Sequence, residues 1–238
     1  MRRPDRSRVV RLLLVLGLAR PLGAQTVRPA VVEFPGQARG KFELVNETLF
    51  PMTVVLEPRG FHVEPSGELI EEPLDTTRMQ VKISAMSFRI PPRETYTVFY
   101  EATAKSFPSW FLISSTLTGA RTQSGLNVRI ELPHVVYMLQ SHPLRKSEVA
   151  VRAFEFDTAT KRVRVELENT GAALGRVLSS EVSAAGGKPI PGGAFPLFPN
   201  SRRALEVPWG DQESPEKVVL RFANFTVEER RRLVDSQP

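Results

Sequence analysis

The 238-residue sequence contains no cysteine. That excludes a disulfide framework, thiol catalysis, CxxC redox chemistry and cysteine-ligated zinc. Stability must therefore come from packing. Histidine is scarce: only His62, His134 and His142 occur, and none has metal-ligand spacing with a second histidine or a carboxylate cluster. No GxSxG elbow, phosphate-binding loop or dinucleotide fingerprint is present. Glu71, Glu72 and Asp75 read as a solvated acidic loop. Trp110 and Trp209 read as packing residues, because an indole buries a large area. These absences make no case for an enzyme and call for no cofactor or metal. Long apolar runs are missing too, outside the N-terminal two dozen residues, so no other segment is expected to cross a membrane.

A net charge of +6 would point to nucleic acid if it were spread along the chain. Met1–Ala24 concentrates it: Arg2, Arg3, Arg6, Arg8, Arg11 and Arg20 against Asp5 give +5, leaving +1 for the remainder. No nucleic-acid partner is expected. The same segment has a charged start, an apolar stretch over Val9–Ala19 and small residues at Gly23-Ala24. This is the pattern of a secretory signal cleaved after Ala24. Arg11, Arg20 and Pro21 leave the apolar stretch short for a membrane anchor. Arg2-Arg3 runs into Pro4-Asp5, which does not fit a twin-arginine signal.

What is abundant is proline, at 20, which disfavours long helices. Beyond residue 25 short alternating runs are punctuated by Gly, Pro, Ser and Asn. Expected strands cover Ala30–Phe34, Lys41–Val45, Met52–Glu57, Gln80–Ala85, Thr95–Ala102, Trp110–Leu117 and Leu126–Leu139. That spacing indicates a β-sandwich over residues 25–140. Gln140–Ser147, polar and with Pro143, reads as a linker centred on 141–147. A second sandwich is expected over 148–238, with Val163, Val165 and Leu167 on one face and Val218, Leu220 and Phe222 in phase. Thr226-Val-Glu-Glu229 fits a capping box, predicting a short terminal helix over Val227–Val234. Arg230, Arg231 and Arg232 would then lie on its solvated face. The fold class is all-β, two immunoglobulin-like sandwiches with a short C-terminal helix. Two glycosylation triplets occur, Asn46-Glu-Thr48 and Asn224-Phe-Thr226, relevant only in a host that glycosylates.

One run carries the functional question. In GLNVRIELPHVVYML, Leu126, Val128, Ile130 and Leu132 alternate with Asn127, Arg129 and Glu131. Any half-buried strand alternates, so the row serves either this protein's core or another chain's. Pro133 cannot donate to a ladder and belongs at an edge or bulge. Beyond it, Val135–Leu139 places apolar groups on both faces. The strand therefore reads as two halves, one wrapped by its own protein and one with a single apolar face beside a free edge. Such an edge is an aggregation liability that few proteins would keep.

Several pieces together resemble the periplasmic pilus-assembly chaperones, the PapD-like family. Ser109–Ser115, a short loop, and Leu126–Leu132 look like the last two strands of that family's first domain. Val31-Val-Glu-Phe-Pro-Gly36 resembles its opening strand and turn, Phe88–Val98 its proline-containing turn, and Pro196–Leu205 a matching piece of its second domain. The resemblance implies a periplasmic, non-enzymatic chaperone of two sandwiches. Its partner would be a pilin-like subunit, with an outer-membrane usher as a further candidate. Leu126, Val128, Ile130 and Leu132 would be the row donated to the subunit by strand addition. The family also holds its client's terminal carboxylate with a basic pair in the interdomain cleft. Here the arginine position falls on Val31 and the lysine position near His134, with Arg28 close by. His134 and Arg28 are therefore the candidate anchor, His134 only when protonated. The other reading is an exported structural or adhesive protein whose domains bind a partner or a surface polymer.

Overall fold

The structure is a computed structural model that describes residues 26–121, 127–210 and 213–231. Ten strands build a first sandwich. One sheet has the order β1 (Thr26–Arg28), β3 (Ala38–Val45), β8 (Thr95–Ala104) and β6 (Met79–Ile83). The other has the order β2 (Val31–Pro35), β10 (Asn127–Leu139), β9 (Ser109–Arg121), β4 (Met52–Val63) and β5 (Leu69–Pro73), with β7 (Ser87–Ile90) also on β4. The chain thus opens on one sheet and passes to the other between Arg28 and Val31. β1 pairs antiparallel with β3, and β2 pairs parallel with β10.

Two-residue periodicity makes the core. Phe42 and Leu44 of β3 and Val98, Tyr100 and Ala102 of β8 face inward. Val54 and Leu56 of β4, Phe111, Ile113 and Leu117 of β9, and Val136 and Met138 of β10 meet them from the opposite sheet. The alternating positions point outward, since successive side chains leave opposite faces of a strand.

The second sandwich sets β11 (Val149–Asp157), β12 (Arg162–Asn169) and β15 (Ser201–Pro208) against β14 (Ile190–Leu197), β13 (Gly175–Ala184), β16 (Pro215–Arg221) and β17 (Thr226–Arg230). Val163, Val165, Leu167, Val182, Val218, Leu220 and Trp209 fill it. The outer face of its three-stranded sheet carries ion pairs, among them Arg164–Glu166 at 2.8 Å and Arg162–Glu206 at 3.3 Å.

The expected C-terminal helix is not formed in the described residues. Thr226–Arg230 is an edge strand, antiparallel to β16, with Leu220 opposite Val227. Val227 is buried while Glu228 and Arg230 are exposed, a period of two. One inward side chain cannot seat a helix, whereas a strand satisfies the open backbone of β16. Residues 232–238, which include Arg232 and Val234, lie outside the described residues, as do residues 1–24.

The segment read as a linker is fastened at its start and at its middle. The Gln140 amide donates to Leu174 O and accepts from Leu174 N, each at 3.2 Å, and Leu144 is buried in the second core. A third cluster joins the sandwiches: Phe61, Leu112, Val135 and Tyr137 from the first, Leu174 and Phe198 from the second. Trp110 packs beside them and donates its indole N–H to Phe61 O at 2.9 Å. Trp209 is buried with its indole N–H on Glu213 O at 2.7 Å, so both tryptophans pack.

Candidate functional site

The strand that carries the apolar row is divided at Pro133. From Asn127 to Met138 one border of β10 pairs with β9. The other border is covered by β2 only at Val135–Leu139. Among the described residues, positions 127–133 have no ladder partner on that side. The boundary is sharp. Val135 N–H bonds Ala30 O at 2.8 Å, and His134 Nδ1 meets Pro29 O at 2.7 Å. Before that point the backbone is an unpaired edge with a bulge between Val128 and Arg129.

Ile130 and Leu132 turn toward the interior. Ile130 lies opposite Leu117 and Leu132 opposite Ser115, both core positions of β9. Ile130 and Leu132 are half-buried and pack at the margin of the first core. The backbone places Val128 opposite Ala120, farther along the hairpin. Leu126 lies outside the described residues. Ile130 and Leu132 therefore line the open margin of this protein's own sandwich. Arg129 and Glu131 stand on the solvent face, joined at 2.6 Å.

His134 does not serve as a cation. It is fully buried, stacked on Phe42 with centroids 4.5 Å apart. A carbonyl can only accept, so Nδ1 donates to Pro29 O and Nε2 accepts the Tyr100 hydroxyl at 3.0 Å. Burial holds its pKa below the ordinary histidine value, against the smaller opposing effect of the Pro29 bond. Burial also raises the Tyr100 hydroxyl above its usual range. A neutral imidazole with both nitrogens engaged has nothing to offer a carboxylate. Arg28 is exposed at the end of β1, without an ion pair among the described residues. The parallel register sets Val31 beside Val135. The two expected anchor residues thus do not form a basic pair.

The interdomain cleft holds a different arrangement that sequence reasoning missed. A cavity of about 280 Å³ opens there, lined by Tyr137, Leu139, Leu174, Leu178, Phe222 and others. Arg176 of the second sandwich pairs with Glu33 of β2 at 3.0 Å across it. The Tyr137 hydroxyl is pushed up to about 12 by burial, with Arg176 and Glu33 acting in opposite directions. Because Glu33 already occupies Arg176, the cleft presents no spare positive charge from that pair. Arg176 lies in a strand with no distinctive neighbours, and only the fold brings it to Glu33.

No metal-holding cluster occurs among the described residues. No described helix is long and apolar enough to cross a membrane. His62 sits between Glu72 at 2.5 Å and Glu64 at 3.5 Å on an exposed hairpin. Asn46, the first glycosylation triplet, is closed to modification because it is fully buried with both amide atoms bonded.

No protein-family model matches the chain, and no curated protein matches its sequence. Solved structures do. The YadV chaperone superposes with a TM-score of 0.51 at 15% identity, covering 87% of this chain and 98% of that one. The Salmonella enterica SafB chaperone, solved with the SafA pilin, gives 0.54 at 14% identity, covering 89% and 98%. The CsuC–CsuE chaperone–subunit complex of the Acinetobacter baumannii Csu pili gives 0.52 at 10% identity, covering 86% and 97%. This chain has the fimbrial-chaperone fold. In this chain the open edge lies on β10, the last strand of the first sandwich.

Proposed function

We propose that this protein is a non-enzymatic periplasmic chaperone for a surface-fibre subunit, which it caps by lending the first half of β10 as a missing strand. The observation that carries this reading is the unpaired border at residues 127–133, beside an inward apolar row. Strand addition draws affinity from main-chain hydrogen bonds and specificity from alternate side chains entering pockets. A row half-covered by its own sandwich can complete a neighbouring sandwich without leaving its own. Each large aliphatic moved fully out of water contributes about 1.5–3 kcal/mol gross, less where it is already half-covered. Ordering and association costs subtract from the sum.

In support, the SafB and CsuC structures are complexes with a pilin and a tip subunit. Residues 1–24 act as an export signal removed after Ala24, a reading supported by their charge and apolar run. The subunit's terminal carboxylate is not held by His134, so affinity rests on the strand.

The test is capture and hydrogen exchange together. The tagged full-length protein, recovered from its own host's envelope, should carry one subunit that lacks a strand of its sandwich. Amides at 127–132 that exchange freely in the unbound protein should become protected in the complex. Recovery of no such subunit, or capture without protection at those amides, would falsify the reading.

A further inference from the structure

Leu49 and Phe50 are adjacent large apolar side chains, 70% and 52% exposed. They are not on a loose loop. The buried Asn46 amide donates to Phe50 O at 2.8 Å, Ile90 O at 3.2 Å and Pro91 O at 2.9 Å. Its oxygen accepts Thr48 N–H at 3.1 Å and the Thr48 hydroxyl at 2.6 Å. The turn is fixed, and it holds two apolar groups in water.

The second sandwich contains the same device. Asn169, also fully buried, donates to Ala173 O at 2.7 Å and Leu197 O at 3.3 Å and accepts Gly171 N–H at 2.9 Å. The spacing is shared: an acceptor four residues on and a donor two residues on. There the turn leads directly into a docking residue. The next residue, Leu174, is 6% exposed, bonds Gln140 through its backbone and packs in the cluster with Phe61 and Tyr137 of the first sandwich. In this molecule, then, the residue that follows an asparagine-closed turn is one on which a neighbouring sandwich rests.

The first sandwich's turn lies at the end where β10 is unpaired. Gly119 of β9 packs so tightly on the residue after that turn that a Cβ would come 3.1 Å from Pro51 O. Gly119 sits between Thr118 and Ala120, which face Arg129 and Val128 across the bulge. We propose that Leu49 and Phe50 form a second apolar contact on the same strand-deficient subunit that adds to β10. This rests on the strand-addition reading. The subunit stands on the first sandwich beside an asparagine-closed turn, as the first stands on the second through Leu174 beside the other. Because the turn is already rigid, little ordering entropy opposes the contact.

The absence of cysteine makes a clean test. Phe50→Cys and Arg129→Cys variants each carry a single thiol, labelled with benzophenone maleimide and irradiated in envelope extract of the host. The expected result is one and the same subunit, identified by mass spectrometry, from both positions. Leu49→Ser with Phe50→Ser should lower capture about tenfold or more with an unchanged melting temperature. A subunit trapped from position 129, with none or a different polypeptide from position 50, overturns this inference and leaves strand addition standing. No subunit trapped from position 129 overturns both.

Discussion

Asn46 and Asn169 close turns of the same form in two sandwiches of different fate. After Asn169 the turn carries glycine and two alanines and leads into Leu174, which is covered by the other sandwich. After Asn46 it carries Leu49 and Phe50, which nothing in the described structure covers. The backbone device is constant and the apolar payload differs. The amide bonds fix where the turn stands, while the large apolar residue that it carries or leads into decides what it can meet. The outer sheets differ in the same sense. The second sandwich laces Arg152, Glu168 and Arg202 together over its three-stranded face, whereas the first leaves half a strand border unpaired.

The comparison can be tested in order of expected effect. Asn46→Ala and Asn169→Ala should each cost about 2–3 kcal/mol, because each leaves buried carbonyls without a donor. Urea titration read by hydrogen exchange in each sandwich would check it, and a loss in only one would show that the two turns are not equivalent. Ile130→Asp should abolish subunit capture and, because Ile130 touches the core margin, cost about 1–2 kcal/mol. A loss well above that range would make the row chiefly internal.

The third test separates the sandwiches by pH. In the folded first sandwich burial keeps His134 neutral below its ordinary pKa. The unfolded chain takes up a proton near about pH 6.5. Below that value the unfolded state binds more protons, so stability falls as pH falls. The second sandwich, from Val149 to Arg231, contains no histidine and lacks this contribution. His134→Gln should flatten the dependence of the first sandwich between about pH 7.5 and 5, measured by urea midpoints. The smallest effect is expected from Arg176→Ala. Its pair with Glu33 is part-exposed and should be worth about 1 kcal/mol or less, visible as a slight loosening between the sandwiches in scattering.

Much of this was legible in the residues. Phe42 with Leu44, and Val163 with Val165 and Leu167, declared their inward faces by alternation, and both sets are core. Pro133 marked the division of β10 because a residue without an N–H cannot sit in a fully paired strand. Other features were hidden for physical reasons. β5 reads Leu-Ile-Glu-Glu-Pro, and an edge strand wet on both sides need not alternate. Thr226–Glu229 satisfies a local helix rule, but the open backbone of β16 decides the outcome. His134 and Asn46 looked like surface chemistry because sequence does not reveal burial. Arg176 and Glu33 lie 143 positions apart, and only tertiary structure joins them.

The passage of the first strand from one sheet to the other has one more consequence. By lying on β10 from Val135 onward, β2 acts as a doorstop. On the strand-addition reading, a guest strand sliding along that margin is stopped at His134, so β2 fixes one end of its register.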